Sequence, residues 1–116
     1  MIEQLIGKVF AARDSAHLAH WRTSSRSDHQ ALGDFYNKVV SVLDRIVECH
    51  QGAFEKIKAV KPEPVEQDAL KMLSEQVVWI GENIAAISQG LPPIENMLAE
   101  LMELYLSTIF QLNNLR

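Results

Sequence analysis

The chain is expected to be all-α, an antiparallel bundle of four helices. Three observations point there. Apolar residues recur at helical spacing through four long segments. No stretch alternates in the manner of a strand. Most of the few Gly and Pro residues stand where one segment gives way to the next. The 116 residues suit a single domain over 1–116. Apolar residues make up 47% and charged residues 22%, the balance of an ordinary folded chain.

The first helix is predicted from about Ile2 to Thr23. Ile2, Leu5, Ile6, Val9, Ala12 and Ala16 form one stripe, and its continuation brings His20 onto the stripe's centre. A Ser-rich break follows at Ser24, Ser25, Arg26 and Ser27. Ser27 and Gln30 have the spacing of a capping box for a second helix from about Asp28 to Gln51. Leu32, Tyr36, Val39, Leu43, Ile46 and His50 mark its buried side, and Gly52 is its stop. Phe54 to Lys61 reads either as a short helix or as an irregular crossing. Lys61-Pro62-Glu63-Pro64 is a rigid break, because each proline disfavours helix in the residue before it. The third helix is predicted from Val65 to Gln89, with Leu70, Leu73, Val77, Ile80, Ile84 and Ile87 inward. Gly90 ends it. Pro92-Pro93 suits a fresh start, so the fourth helix is placed at about Pro93 to Asn113, with Met97, Leu98, Leu101, Leu104, Tyr105 and Leu112 on its apolar face.

The formal net charge of −4 offers no electrostatic attraction for nucleic acid, and Lys56, Lys58 and Lys61 read as a solvated face. Cys49 is alone, so no internal disulfide is expected. The opening residues carry an early acid, Glu3, and no long apolar run. They read as neither signal peptide nor membrane span, and a cytoplasmic location is expected.

The residues that carry chemistry lie in the first half: His17, His20-Trp21, His29, Asp44 and Glu48. A di-iron site inside one bundle needs Glu-x-x-His motifs on its helices, and the chain has none. Asp44 and Glu48 are four residues apart on a helix, so their carboxylates project from one side. His29 precedes Asp44 by fifteen residues, ~22 Å along a helix, too far to share an ion within one chain. Two second helices packed antiparallel about a two-fold axis would bring His29 of one chain to Asp44 and Glu48 of the other, building two equal sites. His20 would join from the end of the first helix. Two imidazoles and two carboxylates suit Fe(II), Zn(II) or Mn(II).

His20-Trp21, His29, Leu32, Phe35, Asp44 and Glu48 resemble the ferroxidase signature of the DNA-protecting mini-ferritins, the Dps-like family. The spacing from His29 to Asp44 to Glu48 matches that family without a gap. The resemblance implies a ferritin-like fold, with His20, His29, Asp44 and Glu48 as iron ligands at a dimer interface and Trp21 beside them. It also implies oxidation of Fe(II), preferably by hydrogen peroxide. The match covers about residues 10 to 50. The turn between His20 and His29 is shorter than in that family, Gly33 stands where an acid is common there, and the basic N-terminal tail is missing. In these respects the chain is similar to short ferritin-like proteins of bacteria and their phages.

Plainer readings stand beside this one. His20 also fits a satisfied core histidine, and Asp44 and Glu48 fit surface charges. His50, on the apolar stripe without an acid in register, reads as structural. Trp21 and Trp79 read as packing or interface residues, and Met72, Met97 and Met102 as core fillers. The functional expectations are therefore an iron-binding homo-oligomer with ferroxidase activity, a non-enzymatic helical scaffold that keeps the fold without the metal, and a structural zinc site on His17 and His20.

Overall fold

A computed structural model of the chain describes residues 1–115. Every regular element among them is a helix: α1 (Ile2–Arg22), α2 (Arg26–Ala53), α3 (Ala69–Glu82), α4 (Ile84–Ser88) and α5 (Pro92–Asn114). The 28 residues of α2, ~42 Å at the helical rise, run nearly the whole 44 Å long axis. α1 packs on α2 and α3, while α5 packs on α2, α3 and α4. Leu5, Val9, Phe35, Leu43, Leu73, Leu98 and Leu101 are fully enclosed between them. Burying an aliphatic or aromatic side chain of this size contributes about 1.5–3 kcal/mol. All six apolar residues of the predicted α1 stripe are buried. No helix among the described residues is long and apolar enough to cross a membrane.

The helix ends differ from the sequence expectation in three places. The cap of α2 is Ser25 rather than Ser27: its hydroxyl accepts from the Asp28 N–H at 3.3 Å, and Ser27 lies inside the first turn. The third segment starts at Ala69, not Val65, with Asp68 as cap accepting from the Lys71 N–H at 3.1 Å. That segment also breaks at Asn83, giving five helices where four were expected. The Asn83 amide donates back to the Trp79 carbonyl at 2.7 Å and competes with the helical ladder there. α4 then closes on Gln89 and Gly90, both left-handed at φ 52° and 78°.

Residues 54–68, irregular, form a strap along α1. The Ile57 N–H donates to the Gln51 side chain, and the Lys58 N–H donates to the Glu3 carboxylate at 2.8 Å. Lys8 pairs with Glu63 at 3.4 Å, and the Ser15 hydroxyl donates to the Glu66 carbonyl. Gly7 permits the approach: a Cβ there would lie 2.7 Å from the Lys61 carbonyl oxygen. The contacts at Glu66 hold the chain extended up to Asp68, which is why α3 begins late.

One polar thread crosses the core. The buried Tyr105 hydroxyl donates to Gln76 Oε1 at 2.7 Å, and Gln76 Nε2 donates to the Lys8 carbonyl at 2.9 Å. Burial pushes the Tyr105 phenol above its usual range, so it stays a donor. Phe35 presses edge-on against its ring at 5.1 Å.

Tyr105→Phe leaves Gln76 Oε1 without its donor, and the expected loss is about 1–3 kcal/mol in urea unfolding. The strap tie is acid-sensitive. The Lys58 N–H, as the largest cause, holds the Glu3 carboxyl below its ordinary 4.5. A lowered folded-state value stabilises above that ordinary range and is lost as pH falls through the folded-state value. The stability advantage of wild type over Glu3→Gln is therefore expected at pH 7 and expected to shrink as pH falls below Glu3's ordinary 4.5 in parallel melts.

Candidate functional site

Three residues, Thr23 to Ser25, separate α1 from α2. The Ser25 N–H donates to Thr23 Oγ1 at 3.1 Å while the Ser25 hydroxyl caps α2, so the turn is tied at both sides. So short a connection keeps the last turn of α1 against the first turns of α2. His20 and His29 consequently stack, with ring centroids 3.6 Å apart and planes inclined by 21°.

Each ring bonds the other's backbone. His20 Nδ1 lies 2.6 Å from the His29 carbonyl oxygen, and His29 Nδ1 lies 2.9 Å from the His20 carbonyl oxygen. A carbonyl oxygen only accepts, so both Nδ1 atoms carry protons and donate. The His20 carbonyl is one that the end of α1 leaves without a helical partner, and the His29 ring satisfies it. In the neutral rings this arrangement puts the lone pair on Nε2, the atom free to take a metal. Near-parallel planes 3.6 Å apart keep the two lone pairs from converging on one ion. Each imidazole is thus suited to its own ion.

The cluster is wider than the sequence pattern indicated. His17 stacks on Tyr36 at 3.9 Å with planes inclined by 12°, and its ring lies 4.3 Å from Trp21. Tyr36, expected on the buried side, is half-buried and forms the flank of this group. Trp21 is 67% exposed. Gly33, where the resemblance led one to look for an acid, supports the His20 ring: a Cβ there would lie 3.1 Å from Cε1 and 3.2 Å from Nδ1. The signal for these roles is the turn itself. A hairpin closed in three residues sets the last turns of α1 against the first turns of α2, which brings His20 to His29 and His17, one turn back, to Tyr36, two turns on.

Asp44 and Glu48 stand apart from this group, exposed, further along the same face of α2. Neither forms a hydrogen bond or ion pair among the described residues. Arg45, beside Asp44 and one turn before Glu48, reaches instead across to Glu100 on α5 at 3.1 Å. Among the described residues, no group of three or more His, Cys, Asp and Glu side chains is placed to hold a metal within one chain. The interior offers no alternative. Its buried polar side chains are Ser15, Asp28, His50, Gln76, Ser88 and Thr108, with a single acid and a single imidazole. Those two sit near opposite ends of α2. His50 packs against Phe54, its ring centroid 5.3 Å away, and its Nδ1 has no hydrogen-bond partner among the described residues. Cys49 is a half-buried free thiol.

A model described as a family of unknown function (DUF5856) matches residues 20–112, a span that includes His20, His29, Asp44 and Glu48, and the chain belongs to this family. Neither a curated protein nor a solved structure matches the chain.

Gly33→Ala tests how the histidine pair is held. Alanine favours the helix by about 1 kcal/mol, but its methyl must displace the His20 ring. The expected result is near-unchanged thermal stability together with a shifted His20 Nδ1 resonance in a long-range ¹⁵N spectrum. An unmoved resonance would show that Gly33 does not position the ring.

Proposed function

We propose that this member of a family of unknown function is a ferritin-like, Dps-like iron-binding protein. In this reading it works as a homodimer or larger homo-oligomer, and its substrate is Fe(II). His20 and His29 of one copy and Asp44 and Glu48 of a second form the site at a two-fold interface. The observation that carries the reading is the His20–His29 pair, whose Nδ1 atoms are both committed to backbone carbonyls while Nε2 stays free.

The ferritin-like arrangement is supported by the direction of contacts. His17 meets Tyr36 while His20 meets His29, so α1 and α2 run oppositely. Phe35 meets Tyr105 and Arg45 meets Glu100, so α2 and α5 do as well. Gln76 meets Tyr105 while Gly81 lies against Met102, which opposes α3 to α5. The strap 54–68 then serves as the one long crossover that such bundles carry.

In the proposed chemistry each imidazole presents Nε2 to one Fe(II). The partner's Asp44 and Glu48 supply the negative charge that favours the ferric product and can bridge the two ions. With hydrogen peroxide as oxidant, each of two Fe(II) ions gives up one electron. The O–O bond breaks, and two protons complete two waters. Zn(II) and Mn(II) suit the same donors.

Anaerobic addition of Fe(II) followed by air or peroxide tests the activity. Wild type is expected to develop ferric absorbance, and the His29→Ala/Asp44→Ala variant to stay at the rate of iron in buffer. Equal rates would reject the catalytic reading. One observation favours a second reading, a helical scaffold without metal. The same histidine bonds clasp the hairpin and satisfy an end carbonyl of α1, a sufficient structural reason for both rings. Protein purified without chelator would then hold no transition metal, and its melting temperature would not move on adding Fe(II) or Zn(II).

A further inference from the structure

The face of α2 that carries both halves of the proposed site is neutral in its middle. Between His29 and Asp44 its positions are Gly33, Tyr36, Asn37 and Val40. Gly33 is covered by His20, and the Asn37 amide is folded onto its own helix, donating to the Gly33 carbonyl at 2.9 Å. The ionisable groups sit at the two ends, the imidazoles and Arg26 at one and the carboxylates at the other. Such a face is complementary to a second copy of itself, rotated about an axis near Asn37. α1 extends it. Phe10, Arg13, His17 and Trp21 recur at helical spacing, with the Arg13 guanidinium 4.8 Å from the Phe10 ring centroid. His17 joins this row to α2 through Tyr36.

Pairing without a cation is opposed. At each of the two equivalent sites, two carboxylates one turn apart would leave water and meet imidazoles already spending their Nδ1 protons on backbone carbonyls. Arg45 pairs with Glu100 on the α5 side; Arg26, exposed at the start of α2, meets the partner copy's Glu48 in this register, and Asp44 is left to the imidazoles. Burying unpaired charge is costly, and the exposed Phe10 and Trp21 rings on the α1 side are the apolar area set against that cost. A divalent ion reverses the balance, giving each carboxylate a counter-charge and each Nε2 a ligand bond.

We propose that a divalent metal gates assembly: the metal-free chain is a monomer, and metal bound between His20 and His29 of one copy and Asp44 and Glu48 of the other closes a two-fold dimer. The inference rests on the shared-site reading above and adds that pairing is the consequence of metal binding, not its precondition. Linkage sets the scale. With free metal at one hundred times its Kd, each bound ion multiplies association about 100-fold, and a single ion at each of the two sites about 10⁴-fold.

The test is sedimentation velocity at about pH 8, above the ordinary imidazole range, with Zn(II) as a probe that does not change oxidation state. Wild type is expected to sediment as a monomer in EDTA and as a dimer in Zn(II), reversibly. His29→Ala and Asp44→Asn, both at exposed side chains, are each expected to stay monomeric at the same Zn(II). An equimolar mixture of the two is expected to dimerise, because one of its two sites is intact: about 100-fold of the association returns. Circular dichroism confirms that both variants fold. A wild-type dimer that is equally tight in EDTA overturns the gating. Zn(II) affinity regained on mixing the variants, read by calorimetry, then decides the shared site separately. A monomer under both conditions overturns gating and shared site together. So does a Zn(II)-dependent wild-type dimer whose variant mixture shows no recovery, since the metal must then lie elsewhere.

Discussion

The three-residue connection between α1 and α2 is the constraint on which the rest of the molecule depends. Thr23, Ser24 and Ser25 cannot let the two helices separate, so the end of one and the start of the other share a small volume. Two imidazoles fill it, stacked and bonded to each other's backbone. The clasp does two things with one set of bonds. It satisfies a carbonyl that the end of α1 leaves bare, and it fixes the tautomer of both rings so that Nε2 faces away from the backbone contacts. Structural and chemical roles for these histidines are therefore not exclusive.

The bundle interior is committed to packing. Its one extended polar feature, the thread from Tyr105 through Gln76 to the Lys8 carbonyl, links three helices and has its polar atoms matched. Among the described residues, no pair of inward acids faces a histidine there. In the proposed reading, metal chemistry of the kind that other bundles house at their centre is displaced to the outer face of the α1–α2 hairpin. A site on an outer face lacks donors on its open side, and a second copy can supply them. The unpartnered Asp44 and Glu48 are such donors, carried on the same face and out of reach of their own histidines.

The strap shows a similar trade. Residues 54–68 spend their backbone and side-chain groups on α1, at Glu3, Lys8 and Ser15, rather than on helical turns of their own. Close approach at Gly7 makes that possible. Local helix propensity after Pro64 yields to these longer-range bonds, and α3 waits for the Asp68 cap.

The sequence by itself determined the helical class, the apolar stripes and the breaks at the prolines and at Gly90, because each follows from spacing and local backbone preference. It also determined that His20 and His29 lie close, since a turn that short leaves no other arrangement. Only the tertiary structure decided the late start of α3 and the break at Asn83. Both turn on which bond a backbone group makes when several are within reach, and periodicity carries no record of that competition. Gly33 is the sharpest case. In the sequence it is a missing acid; in the fold it is the space that an imidazole occupies.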